Sequence, residues 1–241
     1  MRKFIFILGF CLLFTVLKAQ DAYQPGFIIL NNGTRIAGSI RLNNSEPWFN
    51  QRRIWFKDSA AMAADPNVKS KKYKADDLKF YQVGERKFEK VHYVDYENLQ
   101  LKSMGSNDHM LEKLSDGRIN SYCFYQYPKD FDAYYGTEEG LEQYKQKQKN
   151  DLLMGYKILA KKDNESKFHD ALDYDMQKYL EDNHDVWEKY KAGGYGNQPL
   201  TKKKGLMAKM IATAKKTAFK QEEADAIVAA FNDYNAGNAT K

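Results

Sequence analysis

Cysteine is scarce in this sequence, and its scarcity excludes a disulfide framework. Only Cys11 and Cys123 occur among the 241 residues. Cys11 lies within an apolar N-terminal segment that we expect to be removed, which leaves Cys123 alone. A chain with one cysteine cannot form an internal disulfide bond, so its stability has to come from an apolar core. A mature chain of about 220 residues can build one, because a domain of this size buries roughly 70% of its surface.

Familiar catalytic motifs are absent as well. The chain contains no P-loop, no G-x-G-x-x-G, no H-E-x-x-H, no G-x-S-x-G and no C-x-x-C. The one group that resembles a metal site is His169, Asp170 and Asp173, at the start of a predicted helix. It lacks the turn glycine and the ligand spacing of a calcium loop, and acids are favoured at a helix N-terminus by the helix dipole. We therefore assign no cofactor, no metal ligand and no catalytic residue.

Charged residues are missing from residues 4–17, and this stretch indicates export. Arg2 and Lys3 precede the apolar run, and Ala19 provides a small residue suited to cleavage. A membrane anchor is the alternative interpretation, but the run is shorter than the roughly 20 apolar residues that span a bilayer. We expect residues 1–19 to be a cleaved signal peptide and the mature protein to be periplasmic or extracellular.

A strong excess of one charge is missing once the signal peptide is removed. The full chain has 38 basic and 32 acidic residues, but Arg2, Lys3 and Lys18 leave with the signal peptide. The mature chain then has 35 basic and 32 acidic residues, a net charge of +3. Because this excess is small, it does not indicate binding to nucleic acid, and we expect no nucleic-acid partner.

Two β-hairpins are the clearest elements that the sequence does contain. Residues 27–42 combine a short apolar run with strict alternation, and an Asn-Gly pair at 32–33 separates the two strands. Residues 110–127 form a second hairpin around an Asp-Gly pair at 116–117. Both pairs predict type I′ turns. Two strands alone are marginal in water, so these hairpins predict a larger sheet.

Further short strands complete a predicted β-rich region over residues 20–160. Gly38 indicates a bulge or a close backbone approach. Residues 58–77 are polar and Lys-rich and contain Pro66, which predicts a long loop with one helical turn at 60–64. Cys123 is expected to be a buried apolar residue rather than a nucleophile. The remaining predicted strands are 53–56, 78–83, 87–96 (with Phe88, His92, Val94 and Tyr96 on one side), a short one at Leu99 and Leu101, and 152–159.

The apolar spacing changes to a helical period from residue 168. Residues 138–149 are expected to form an exposed helix, and residues 168–237 a helical region that closes with a stripe from Ala224 to Tyr234. Strands that precede helices indicate an α+β fold. We predict an antiparallel β meander, either a sheet or a partly open barrel, followed by a helical region packed on it.

Three stretches resemble a group of uncharacterised exported proteins of Bacteroidota that have a β-rich N-terminal half and a helical C-terminal part. They are GFIILNNGTRIAGSIRL at 26–42, HMLEKLSDGRINSYCFYQY at 109–127 and IVAAFNDYN at 227–235. The resemblance covers most of the mature chain. It implies an exported or cell-envelope location, and it carries over no catalytic residues.

Aromatic residues crowd residues 122–135, and they give the first candidate binding site. Aromatic side chains contribute to sugar and protein contacts, because tyrosine has one apolar and one polar end. Tyr125 and Tyr127 lie on a predicted strand and are assigned to the core. The candidates for partner binding are Phe131, Tyr134 and Tyr135, which follow that strand.

Lysine dominates residues 201–220, which contain no acidic residue. A basic amphipathic helix could bind an anionic lipid or another polyanion. The apolar side is rich in Met and Ala and has no Trp, which favours a helix packed on the sheet with a solvated lysine face. The candidate polyanion-binding residues are Lys202, Lys203, Lys204, Lys209, Lys215 and Lys216.

Three hypotheses for function follow. The favoured one is an exported, non-catalytic protein that binds a partner or contributes to the cell envelope, with an envelope protein or a glycan as the partner. The second is a secreted hydrolase with a carboxylate- or His-based site, because 32 acids leave room for a pair that sequence cannot nominate. The third is a peripheral membrane binder that uses the Lys-rich segment.

Overall fold

The structure is a computed structural model that describes residues 23–94, 107–128, 137–172, 174–200 and 221–238. The chain forms two compact units. The first contains the residues through Lys90 together with Asp108–Met110, and the second contains Val91–Asn107 and Leu111–Lys241. The described residues form ten β-strands and five α-helices, and the strands within each unit pair in an antiparallel manner. The predicted α+β fold class is therefore confirmed.

The first unit is built on a layer of antiparallel strands. Within it the strand order is β6-β5-β1-β2-β3-β4. A short helix, α1 (Ser59–Ala64), connects β3 to β4, and it begins where Asp58 accepts hydrogen bonds from the backbone N–H groups of Ala60 and Ala61. The strands are β1 (Gln24–Leu30), β2 (Arg35–Arg41), β3 (Arg53–Asp58), β4 (Lys71–Lys74), β5 (Leu78–Val83) and β6 (Arg86–His92).

The first hairpin forms as predicted, but its turn differs from the prediction. The N–H of Gly33 donates to the carbonyl of Leu30, and the N–H of Leu30 donates to the carbonyl of Thr34, both at 2.9 Å. Gly33 has a φ of +86°, whereas Asn32 does not have a positive φ. A type I′ turn needs positive φ at both central residues. The connection is therefore a three-residue loop that ends with a left-handed glycine, and the type I′ prediction is wrong.

Gly38 allows β2 and β3 to approach closely, as the sequence predicts. A Cβ atom built on Gly38 would lie 2.2 Å from the carbonyl oxygen of Lys57 and 2.4 Å from the Phe56 ring. The inward side of this strand is buried, with Ile40 fully covered, while Arg35 and Ala37 on the other side are exposed. The core of the first unit is formed by Ile28, Ile40, Ile54, Phe56, Leu78, Tyr81, Val83 and Phe88 and their neighbours.

Strand β4 corrects the prediction of a long loop over residues 58–77. Lys71–Lys74 pairs with β3, so that Arg53 lies opposite Lys74 and Trp55 lies opposite Lys72. Only Tyr73 of this strand is buried. The segment lacks an alternating apolar pattern because it lies at the end of the strand order and buries a single side chain, which is typical of a Lys-rich edge strand.

The second unit combines a smaller group of strands with four helices. Within it the strand order is β10-β9-β8-β7. Its core packs side chains of β8 and β9, such as Ile119 and Ile158, against helix residues such as Tyr179, Phe231 and Tyr234. The elements are β7 (Asp108–Ser115), β8 (Ile119–Phe124), α2 (Glu138–Met154), β9 (Lys157–Lys162), β10 (His169–Asp170), α3 (Met176–Leu180), α4 (His184–Lys191) and α5 (Gln221–Gly237). Only the part of β7 from Leu111 onward belongs to this unit.

The side chain of Asn235 attaches the last helix to the second hairpin. The Oδ1 atom of Asn235 accepts a hydrogen bond from the N–H of Ile119 at 2.9 Å, and its Nδ2 atom donates to the carbonyl of the same residue at 2.8 Å. Gly117 has a φ of +148°, and a Cβ atom there would lie 2.7 Å from Asn235. Asp116 does not have a positive φ, so this hairpin also lacks the predicted type I′ turn.

Several predicted boundaries in the second unit are wrong. Leu152 belongs to α2, and the strand predicted over 152–159 begins only at Lys157. His169 and Asp170 lie in a short strand rather than at a helix start. The exposed helix over 138–149, the burial of Cys123 and the closing helix through Tyr234 are confirmed. None of the described helices combines the length and the apolar character needed to cross a bilayer.

Two further expectations concern the strand 87–96 and the division of the chain. Strand β6 ends at His92, and this side chain is exposed although the prediction placed it beside buried Phe88. The expected short strand at Leu99 and Leu101 lies outside the described residues. The sequence predicts a boundary between residues 160 and 168, whereas β8 and β9 belong to the same compact unit as the C-terminal helices.

Candidate functional site

The residues predicted to bind partners lie outside the part of the chain that the structure describes. This holds for the aromatic residues Phe131, Tyr134 and Tyr135. It holds equally for the signal peptide and for Lys202, Lys203, Lys204, Lys209, Lys215 and Lys216. The neighbouring Tyr127 is buried and Tyr125 is half-buried, with its ring 5.5 Å from that of Tyr156. The expected core role of Tyr127 is thus confirmed.

A different set of residues comes together on the outward side of the first unit. The register places Arg41 opposite Trp55 and Trp55 opposite Lys72, so these three side chains form one row across β2, β3 and β4. A second row contains Ser39 and Lys57, and a third contains Arg53 and Lys74. Successive residues on one side of a strand are two positions apart. Trp55 is therefore surrounded by five cationic side chains, namely Arg41, Arg53, Lys57, Lys72 and Lys74.

Cationic and aromatic side chains alternate along this surface. The guanidinium carbon of Arg41 lies 5.0 Å from the centre of the Trp55 ring and 5.6 Å from that of Tyr23. The guanidinium carbon of Arg53 lies 5.6 Å from the Trp55 ring centre and 4.9 Å from that of Phe49. The ammonium nitrogen of Lys57 lies 5.1 Å from the centre of the Tyr23 ring. We call the series Lys57, Tyr23, Arg41, Trp55, Arg53 and Phe49 the cation–aromatic ladder.

A second stack extends the same side of the sheet towards β1 and β5. The guanidinium carbon of Arg35 lies 3.9 Å above the Phe27 ring, which stacks on Phe80 at 5.6 Å. The register places Phe27 beside Ala37 and Gln82, so this stack and the ladder share one side of the strands. Cation–π contacts of this kind contribute about 0.5–1 kcal/mol each when they are exposed. They hold the arginine side chains at defined positions.

The cations of the ladder are not neutralised within the described residues. No described carboxylate forms an ion pair with Arg41, Arg53 or Lys57. The Nε atom of Arg53 is buried and has no hydrogen-bond partner among the described residues. Half-buried positive charges placed this close together repel one another and are costly without a counter-charge. An anion bound at the surface would remove that cost.

The charge of the chain is concentrated in the same unit. The first unit of the mature chain, residues 20–90 and 108–110, contains 13 basic and 9 acidic residues, a net charge of +4. The remaining residues, 91–107 and 111–241, contain 22 basic and 23 acidic residues, a net charge of −1. The excess of positive charge in the mature chain therefore lies in the first unit. A basic surface of this kind attracts anionic partners.

The middle of the ladder borders a concave site of about 260 Å³, lined by Arg41, Leu42, Asn43, Ser45 and Trp55. Its wall is made by the loop between β2 and β3, and two asparagines hold this loop in place. The N–H of Asn43 donates to Oδ1 of Asn50 at 2.8 Å, and Nδ2 of Asn50 donates to the carbonyl of Asn43 at 2.9 Å. The side chain of Ser45 donates to Oδ1 of Asn43 at 2.9 Å.

The loop also positions the last ring of the ladder. A short 3₁₀ turn at Pro47–Phe49 follows the concave site, and Trp48 within it is buried. Because Trp48 fixes the turn from the inside, its neighbour Phe49 remains half-buried beneath the guanidinium of Arg53. The buried side chain of Trp48 therefore supports Phe49, and the pairing of β2, β3 and β4 fixes the position of Trp55.

Arg118 and Lys162 of the second unit have a different environment. Arg118 donates to both carboxylate oxygens of Asp163 at 2.7 and 2.8 Å, and Lys162 donates to Asp182 at 2.6 Å. Asp182 also accepts a hydrogen bond from the Tyr234 hydroxyl at 2.8 Å. These cations lie near an aromatic ring too, since Arg118 is 5.5 Å from the Tyr234 ring centre. They are paired, however, and we assign this group to structural stability.

The pKa values of the second unit agree with that assignment. The hydrogen bond from Arg118 holds the pKa of Asp163 below its usual range. Partial burial opposes ionisation of Asp182, but the hydrogen bonds from Lys162 and Tyr234 lower its pKa overall. Burial raises the pKa of the Tyr234 hydroxyl, and its hydrogen bond to Asp182 acts in the same direction. Carboxylates stabilised in their charged form are poor general acids.

The ladder was missed by sequence reasoning, although a signal for it exists. Cationic residues on each strand are separated by an even number of positions: Arg35 and Arg41 on β2, Arg53 and Lys57 on β3, and Lys72 and Lys74 on β4. A period of two on three strands predicts a shared side, provided that all three are recognised as strands. Because residues 58–77 are predicted to be a loop, the sequence does not predict the third strand, β4.

Comparison of the chain with protein-family models, curated proteins and solved structures finds no match. Among the described residues, no group of three or more His, Cys, Asp or Glu side chains could hold a metal ion. The arrangement that does exist, fixed cations beside a concave site with hydroxyl and amide groups, is suited to binding anions. The hydrolase and the Lys-rich membrane binder remain predictions.

Proposed function

We propose that this protein is an exported, non-catalytic binding module of the cell envelope, and that it binds an anionic partner through the cation–aromatic ladder of its first unit. The observation that carries the proposal is the set of fixed cations that no described carboxylate neutralises. Arg118 and Lys162 of the second unit show the contrasting arrangement, in which each cation has a carboxylate partner. The persistence of the ladder cations on an exposed side favours a role in binding.

The location is the second element of the proposal. It is supported by the apolar segment at residues 4–17 and by Ala19 at a suitable cleavage position. Expression of the full chain in a bacterium with a periplasm, followed by fractionation and mass measurement, tests it. We expect a periplasmic or secreted product whose N-terminus is Gln20. A cytoplasmic product that retains Met1 or residues near it would contradict export.

The binding role is tested with a variant in which three ladder cations are neutralised together: Arg41→Gln, Arg53→Gln and Lys57→Gln. The matched control neutralises three exposed lysines outside the ladder: Lys69→Gln, Lys79→Gln and Lys147→Gln. Both variants lose three positive charges, so an effect of net charge alone would appear in both.

Retention of the mature protein on immobilised carboxylated and sulfated polymers is the readout. We expect the native protein and the control to be retained at physiological ionic strength and the ladder variant to be released. Equal retention of both variants would show that the ladder is not the binding surface. Circular dichroism of each variant separates loss of binding from loss of folding.

A further inference from the structure

The guanidinium groups of the ladder are arranged to receive carboxylates. The N–H groups of an arginine lie in the plane of the guanidinium, so a contact between its face and an aromatic ring leaves them available to bind both oxygens of a carboxylate. Arg41 contacts two rings, Tyr23 and Trp55, so its position is fixed from two directions. Lysine side chains on a lipid-binding surface do not need fixed positions of this kind, because the lipid headgroups that they contact are mobile.

The concave site beside Arg41 adds neutral polar groups to this charge. Asn43 and Ser45 line it together with Trp55. Amide and hydroxyl side chains recognise hydroxyl groups of a ligand, and an indole ring offers an apolar wall. The volume of about 260 Å³ is below the roughly 300–1,000 Å³ of sites for drug-sized molecules. It suits one sugar ring that carries a carboxylate and several hydroxyls.

The aromatic rings are less suited to nucleic acids. Proteins that bind single strands stack successive bases on free aromatic rings. In the ladder, Trp55 already contacts Arg41 and Arg53, and Tyr23 already contacts Arg41 and Lys57. The rings therefore orient cations instead of offering a stacking platform. This favours a ligand that is recognised through its anionic groups and its hydroxyls.

The surface is longer than a single ligand group. Arg53 and Lys57 lie on either side of Trp55 on the same strand, about 13 Å apart at roughly 3.3 Å per residue. Arg41 and Lys72 lie on the two neighbouring strands, about 10 Å apart at a spacing of roughly 4.8 Å. An extended chain with repeated carboxylates would contact several of these cations at once, and its contacts would reinforce one another.

We propose that the ladder binds a linear acidic polysaccharide, with one carboxylated sugar seated in the concave site and its carboxylate on Arg41. This inference rests on the proposed function, since it specifies the anionic partner of the same surface. The sugar chain runs across the strands from Arg41 towards Lys72, and Arg53 and Lys57 lie on either side of it. The binding is non-covalent, and the hydroxyl groups of the seated sugar contact Asn43 and Ser45.

Isothermal titration of the mature protein with polygalacturonate, a polymer with one carboxylate per sugar, tests the ligand class. The parallel probes are fully methyl-esterified polygalacturonate, a thymidine oligonucleotide, and vesicles of phosphatidylcholine and phosphatidylglycerol. We expect polygalacturonate to bind most tightly and its neutral ester to bind at least about tenfold more weakly, because the ester has lost its charge-assisted hydrogen bonds.

Single variants test where the sugar sits. Arg41→Gln should weaken binding of polygalacturonate about tenfold, and Arg41→Lys should weaken it several-fold, because lysine keeps the charge but lacks the planar fork. Ser45→Ala should weaken binding about two- to fivefold, whereas Ser39→Ala, which lies on the same side but does not line the concave site, should leave it unchanged.

The outcomes separate this inference from the proposed function. Equal or tighter binding of the oligonucleotide or of the vesicles overturns the polysaccharide inference and leaves the binding role intact. Binding of polygalacturonate that Arg41→Gln does not weaken overturns the seating of the sugar. If none of the four probes binds to folded protein, both the inference and the proposed function are overturned.

Discussion

The guanidinium carbon of Arg41 lies 5.0 Å from the centre of the Trp55 ring, directly across the pair of strands β2 and β3. The same ring contacts Arg53, so that one tryptophan holds two arginines in place. Arg53 and Trp55 lie on the same strand, β3. Arg41 lies on β2, which a loop with a 3₁₀ turn separates from β3 in the sequence. The pairing of two strands creates this arrangement.

Replacement of the central ring should weaken binding without changing any charge. We expect Trp55→Leu to lower the affinity for an anionic polymer about tenfold, because Arg41 and Arg53 lose the ring that positions them. Trp187→Leu, at a half-buried tryptophan of the second unit, is the matched control. Titration of both variants gives the affinities. Equal affinity for the two variants would show that Trp55 does not position the arginines.

A methyl group at Gly38 should destabilise the first unit. Gly38→Ala places a Cβ atom 2.2 Å from the carbonyl oxygen of Lys57, so β2 and β3 must separate. We expect the free energy of unfolding to fall by about 2–4 kcal/mol. Ala37→Ser, at the exposed neighbouring position, should change it by less than about 0.5 kcal/mol. Urea denaturation measures both, and similar values for the two variants would exclude a close approach at Gly38.

Several of these elements could be predicted from local sequence, and others could not. The hairpin around Gly33, the exposed helix α2 and the buried Cys123 follow from turn residues, period and residue type, which are local properties. Strand β4 could not be predicted, because Lys71–Lys74 is a strand only through its pairing with β3. The ladder depends on that register as well. Non-local pairing is information that one-dimensional periodicity does not contain.

Loss of the Asn235 side chain should loosen the closing helix. Asn235→Ala removes both hydrogen bonds to the backbone of Ile119. The N–H of Ile119 then loses its Asn235 partner, whereas its carbonyl keeps the hydrogen bond from the Ser115 hydroxyl. We expect a loss of about 1–3 kcal/mol in the free energy of unfolding. Asn232→Ala, one helical turn earlier, removes only an exposed contact of 3.5 Å and should be nearly neutral. Comparable losses in thermal or urea unfolding would contradict this role for Asn235.

The stability of the second unit should fall in acid, in part through Asp163 and Asp182. The pKa values of Asp163 and Asp182 are lowered in the folded state, so their stabilising contribution is fully present above the unfolded pKa of about 3.9. It is lost as the pH falls below that value and through the folded pKa values. The free energy of unfolding is therefore larger at neutral pH than in acid, and most of the change occurs below about pH 4.

Variants isolate this acid effect. Asp163→Asn and Asp182→Asn should each give a flatter dependence of the unfolding free energy on pH between about pH 5 and pH 2 than the native protein has. Asp151→Asn, at an exposed site on α2, should retain the native slope. Urea denaturation at a series of pH values provides the slopes. A native slope in both test variants would show that these ion pairs do not contribute.

The salt dependence of binding tests the role of the cation–aromatic ladder most directly. The affinity of the mature protein for polygalacturonate should be measured over a range of sodium chloride concentrations. The measurement should include the variant with Arg41→Gln, Arg53→Gln and Lys57→Gln and the control with Lys69→Gln, Lys79→Gln and Lys147→Gln. We predict a steep fall with salt for the native protein and the control, because each cation that binds an anion releases counterions. The ladder variant should bind weakly and with a much smaller slope. Equal affinities and equal slopes in all three proteins would contradict the assignment of the ladder as the binding surface.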